Sequence, residues 1–124
     1  ITNVAGSSDY FLGGVISYAN SVKTSLLGVG EDLLAAHGAV SAETARKMAE
    51  GARSAGGADI GLSVTGIAGP DGGSAQKPVG LVYIGLADKM GSYARELRLT
   101  GGRSRIRKLS AMHAINTARE YILK

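Results

Sequence analysis

The chain has 124 residues, enough for one hydrophobic core and too few for two. Its hydrophobic fraction of 44% describes a globular polypeptide, no apolar run approaches the roughly 20 residues of a membrane-spanning helix, and the absence of cysteine excludes disulfides and thiolate metal sites while fitting a reducing compartment. The net charge of +4 is uneven: residues 1–94 hold six basic and eight acidic side chains, residues 95–124 eight basic and two acidic, so the C-terminal part suits phosphate, nucleic acid or an acidic surface, or is a solvated helix face.

In chain order, Tyr10–Tyr18 (YFLGGVISY) is apolar with a glycine pair and predicts a strand buried on both faces. Asn20 is placed to cap a short helix, NSVKTSLLG, ended by Gly28, and EDLLAAHG predicts another one or two helical turns. The clearest helix signal follows in SAETARKMAEGARSAGG. Ser41 is its N-cap, Glu43 lies in the first turn, Gly56–Gly57 stop it, and Ala45, Met48, Ala49 and Ala52 make a narrow stripe suited to close packing on a sheet. Asp59–Thr65 predicts a short strand and Val79–Ala87 a central one, nearly continuously apolar. The turn DKMG then leads into SYARELRLT, an antiparallel and less buried partner marked by Tyr93, Arg95, Leu97 and Leu99. A last helix, about Arg103 to Leu123, is expected to bury Ile106, Leu109, Met112, Ile115, Ala118 and Ile122. Interleaved strands and helices with one hairpin predict a single α/β domain over residues 1–124: three layers, α/β/α, around a mixed, mostly parallel sheet.

The segment TGIAGPDGGSAQKPVG, residues 65–80, carries five glycines and two prolines between two predicted strands. It is neither a P-loop, since GxxxxGK[ST] is absent, nor a dinucleotide fingerprint, since no GxGxxG opens a helix after a strand. A glycine-rich segment leaving a strand lets backbone N–H groups approach a ligand with no Cβ in the way; the alternative is a long surface crossover. Thr65 and Gly66 fall where ligands sit in open α/β sheets. Tyr18 and Lys23 flank a predicted strand-to-helix junction, and Lys23 suits a base if desolvation lowers its pKa, or is an ordinary exposed helix lysine. Arg103 opens the last helix after Gly101–Gly102, a good phosphate position, with Arg105 and Arg107 as nearby substitutes. His37 and His113 stand apart with no carboxylate at ligand spacing, so no metal site is expected.

Three stretches, GSSDYFLGGVISYANSVKTSLLGV, HGAVSAETARKMAEGAR and ADIGLSVTGIAGPDGGSAQKPVGLVYIGLA, resemble the C-terminal domain of the competence-damage-inducible protein CinA, the nicotinamide-nucleotide amidase family, and the likeness spans essentially the whole chain. The resemblance implies hydrolysis of the carboxamide of nicotinamide mononucleotide to nicotinate mononucleotide and ammonia, in pyridine nucleotide salvage. It implies no metal or other cofactor, a cytoplasmic location, a homodimer, and a small nucleotide as partner rather than nucleic acid or membrane. It assigns Lys23 to proton transfer beside Tyr18. It places Thr65, Gly66, Ala68, Gly69, Gly72 and Gly73 in the substrate-holding segment, with Thr65 and the loop N–H groups as donors to the amide, and Arg103 or Arg105 at the phosphate.

One departure matters. The family pattern has an E-S-C-T-G-G segment, with the proposed serine nucleophile, that would lie before Ile1. A first strand and most of a first helix are therefore expected to be missing, ITNVAGSS being the helix exit, and Ser7 and Ser8 are turn residues rather than replacements. Two other readings stand beside the amidase: a non-catalytic nucleotide-binding remnant of the same fold, and a nucleic-acid binder using GGRSRIRK, which lacks interleaved aromatic residues.

Overall fold

The strongest local signal forms as expected. In the computed structural model, which describes all residues from Ile1 to Lys124, the Ser41 side chain accepts from the Thr44 N–H at 3.1 Å and opens helix α3, Ala42–Gly56. Gly57, in the left-handed conformation, ends it. Ahead of it come a 3-10 turn, Ser7–Asp9, and two short helices, α1 (Asn20–Leu27) and α2 (Glu31–His37). The N-cap of α1 is Ala19, and Asn20 is the first helical residue instead of the cap. Leu27, Val29 and Met48 join α1 and α3 in a small apolar cluster, with Leu33 and Leu34 of α2 against it.

The sheet has three strands, β1 (Gly61–Gly66), β2 (Leu81–Asp88) and β3 (Gly91–Arg98), in the order β1-β2-β3, and both pairings are antiparallel. The expected mostly parallel sheet is therefore corrected. The apolar run of β2 reads like a parallel strand because it is covered on both faces, but here it is the centre of an antiparallel meander. On one face α3 lies close: a Cβ on Gly85 would stand 2.3 Å from the Ala45 carbonyl oxygen, and one on Gly61 2.2 Å from that of Ala49. Only glycine permits that approach, and Ala45 and Ala49 of the predicted stripe are fully buried there. On the other face Val82 and Ile84 pack against Ile106 and Ala114 of α4 (Arg103–Ile122). Each fully buried aliphatic side chain contributes about 1.5–3 kcal/mol.

Two further expectations are corrected. The buried face of α4 is Ile106, Ser110, Ala114 and Thr117, while Met112, Ile115 and Ile122 are exposed. Polar residues can occupy that seam because each hydroxyl bonds within its own helix, Ser110 Oγ to the Ile106 carbonyl and Thr117 Oγ1 to that of His113. Tyr10–Tyr18 forms no strand: it has no ladder partner, since the sheet ends at β1, and Ile16 is 93% exposed.

Candidate functional site

The N-terminal segment and the sheet edge enclose a groove of about 1640 Å³, walled on one side by Asp9–Tyr18 and on the other by Asp59–Gly66, with Lys23, Ala39 and Val40 also lining it. β1 is an edge strand because nothing pairs with it opposite β2.

Lys23 is the most unusual residue of the groove. It is only 6% exposed, and no carboxylate lies within ion-pair distance. Its Nζ donates to the carbonyls of Ser17 at 2.7 Å and Tyr18 at 3.2 Å. Helix α1 places it: the left-handed turn at Gly28 sends the chain back, and the Lys23 carbonyl accepts from both the Gly28 and Val29 N–H groups. Burial lowers its pKa from the ordinary lysine value. Tyr18 is its neighbour through the backbone only, since the phenol side of that residue is 88% exposed.

Thr65 also lines the groove and is 7% exposed. Its hydroxyl donates to the Ala39 carbonyl at 2.6 Å, and Ser63, two residues earlier on the same face of β1, donates to the Ala45 carbonyl at 2.6 Å. With that bond made, the Thr65 hydroxyl offers a ligand its lone pairs.

The glycine loop, 67–80, is closed at its base by Ile67 N–H to the Leu81 carbonyl and Gly80 N–H to that of Ile67. Gly66 reaches the groove, whereas Ala68 packs against the Val82–Ile106 cluster and Gly69, Gly72 and Gly73 lie away from the groove lining. Arg103 Nη1 donates to the Gly69 carbonyl at 2.9 Å, tying the loop to the start of α4 and leaving its other N–H groups available. Arg105 Nε bonds the Thr100 carbonyl at 3.1 Å. Neither arginine lines the groove with Lys23. Lys23, Tyr18, Thr65 and Gly66 thus line one groove, and the loop glycines Gly69, Gly72 and Gly73 and both arginines lie outside its lining. No cluster of three or more His, Asp or Glu side chains converges as metal ligands.

The Ala39 contact was missed by sequence reasoning. Its signal was the pair Ser63 and Thr65, two hydroxyls on one face of a strand that must meet a helix, where buried hydroxyls require acceptors.

An α/β domain with helices on both faces of an antiparallel sheet, a glycine loop leaving its edge strand and a buried, uncompensated lysine lining the same groove as that strand defines the class. The chain belongs to the CinA C-terminal domain family, whose sequence model matches residues 1–122. It is 54% identical over 123 residues to a CinA-like protein of Geobacter sulfurreducens and 53% identical over 123 residues to one of Geobacter sp. strain M21, in each case covering 99% of the chain. The chain spans about 30% of the length of these curated relatives. Among solved structures, the competence/damage inducible protein CihA of Agrobacterium tumefaciens superposes with a TM-score of 0.92 at 41% identity, covering 96% of this chain and 73% of that one. The competence damage-inducible protein A (ComA) of Klebsiella pneumoniae gives 0.93 at 25% identity, covering 98% and 76%.

Proposed function

We propose that this domain is the amide-hydrolysing part of an enzyme that converts nicotinamide mononucleotide and water to nicotinate mononucleotide and ammonia. The observation that carries the reading is Lys23, buried without a counter-charge and facing the same groove as Thr65. A lysine whose burial lowers its pKa has a larger neutral fraction near pH 7, and so accepts a proton from a nucleophile and returns it to the leaving ammonia. The Ser17 and Tyr18 carbonyls hold its Nζ in one place during both transfers. Arg103, with free N–H groups beside the loop, suits the phosphate.

The nucleophile does not come from the groove hydroxyls of Ser63 and Thr65, which donate to carbonyls rather than to Lys23. This supports a serine supplied by residues preceding Ile1 in a longer polypeptide. An edge strand on one wall and an unpaired apolar segment on the other suit an inserted strand and its helix. On this reading the 124 residues by themselves bind the nucleotide without turning it over.

The test is release of ammonia and nicotinate mononucleotide from nicotinamide mononucleotide, compared between these 124 residues and the longest polypeptide that carries them. Turnover only by the longer form, lost in its Lys23→Met variant with the fold intact, is expected. A longer form that leaves the substrate unchanged, or a Lys23→Met variant at full rate, overturns the assignment.

A further inference from the structure

Three successive carbonyls in the turn between α2 and α3 each receive a side-chain donor. Lys77 Nζ donates to His37, Thr44 Oγ1 to Gly38 at 2.7 Å with Ser41 Oγ at 3.2 Å, and Thr65 Oγ1 to Ala39 at 2.6 Å. Thr44 and Ser41 belong to the start of α3 itself. Thr65 and Lys77 come from elsewhere, one from β1 and one from the glycine loop.

The Lys77 contact is built at both ends. Its backbone is fixed by reciprocal bonds with Ser74, whose N–H donates to the Lys77 carbonyl at 2.8 Å and whose Oγ accepts the Lys77 N–H at 3.0 Å. Its ammonium meets a carbonyl at the C-terminal end of α2, where the helix dipole favours a cation. Gly38 makes room: its φ is +78°, and a Cβ there would stand 2.9 Å from Lys77 Nζ. Thr65, the turn, Lys77 and the loop base at Ile67 and Gly80 therefore form a closed ring of contacts. Ala39, a member of that ring, and the adjacent Val40 both line the groove.

We propose that Lys77 is a positioning residue that couples the glycine loop to the Gly38–Ser41 turn and thereby holds the groove wall at Ala39 and Val40. Its consequence for substrate capture rests on the amidase reading; the coupling itself does not. Amide hydrogen exchange and steady-state kinetics on the longest polypeptide carrying these residues, as wild type, Lys77→Met and Lys77→Arg, separate the two. A hydrogen bond to a charged group predicts exchange about tenfold or more faster in Lys77→Met at Gly38 in the turn and at Ser74 and Gly80 in the loop, whose N–H groups donate to the Leu34, Lys77 and Ile67 carbonyls, with α4 unchanged as internal reference and Lys77→Arg largely restored. The Michaelis constant for nicotinamide mononucleotide rises about tenfold in Lys77→Met while kcat stays within about twofold. Unchanged exchange at both the turn and the loop overturns the coupling, even when the Michaelis constant rises, because Lys77 would then touch substrate directly. Faster exchange with an unchanged Michaelis constant overturns the role in capture. A wild type without turnover refutes the amidase reading alone, and the exchange result still decides the coupling.

Discussion

Replacing Gly85 by alanine tests the packing that positions the candidate site. Gly85 pairs with Ser63 in β1 and lies under α3. The added Cβ would stand 2.3 Å from the Ala45 carbonyl oxygen and 2.5 Å from Ser63 Oγ, both inside any tolerable contact. Neither neighbour is the free end of a flexible chain: one is helix backbone and the other is a hydroxyl bonded to that same carbonyl. The helix must move away from the sheet, which costs about 1–3 kcal/mol as overpacking. The Ser63–Ala45 hydrogen bond is lost with it, about 1 kcal/mol more. The expected destabilisation is therefore about 2–4 kcal/mol, read as a lower midpoint in urea with an unchanged m-value. Gly56→Ala is the matched control. It lies at the end of α3, its nearest neighbour is the Ala58 Cβ at 4.0 Å, and helix propensity predicts a gain of about 0.5–1 kcal/mol. A Gly85→Ala loss below about 0.5 kcal/mol would refute the close approach of α3 to the sheet.

Other outcomes follow from the same contacts. Lys23 has a folded-state pKa below its unfolded value, so the unfolded chain binds the extra proton between the two. Stability should accordingly rise with pH through that window up to the ordinary value of 10.5, and urea midpoints of Lys23→Met should lack this slope. Thr65→Val leaves the Ala39 carbonyl without its donor and should cost about 1–3 kcal/mol, while Thr65→Ser retains the bond; equal losses in denaturant melts would argue against it. Ile84→Ala, at a fully buried position between β2 and α4, should cost about 2–5 kcal/mol by the same assay, and a loss below 1 kcal/mol would place the core elsewhere.

Local chemistry made much of this protein legible from its residues alone. Ser41 and Gly57 bound α3 because capping depends only on neighbouring backbone, and the alanine stripe of α3 announced its tight contact with the sheet. The hairpin of β2 and β3 followed from a short turn between an apolar run and a less buried partner, and the glycine loop and Lys23 stood out by composition and position. What was misread depended on partners distant in the chain. Whether β2 returns beside β1 or crosses over depends on the path of the loop between them, so the buried run of β2 suggested parallel neighbours it does not have. Tyr10–Tyr18 has strand composition, but a strand exists only where another strand supplies hydrogen bonds, and β1 is left unpaired on that side. The seam of α4 runs through Ser110 and Thr117 because intrahelical hydrogen bonds satisfy their hydroxyls, which apolar periodicity cannot register. The hydrogen-bond partner of Thr65 is a carbonyl 26 residues away, at Ala39, which no local pattern announces. The sequence by itself determined the helices, the hairpin and the candidate lysine, because those depend on near neighbours. Tertiary structure alone decided pairing direction, the buried face of α4 and the hydrogen-bond partners of the site, because those are contacts between segments that only folding brings together.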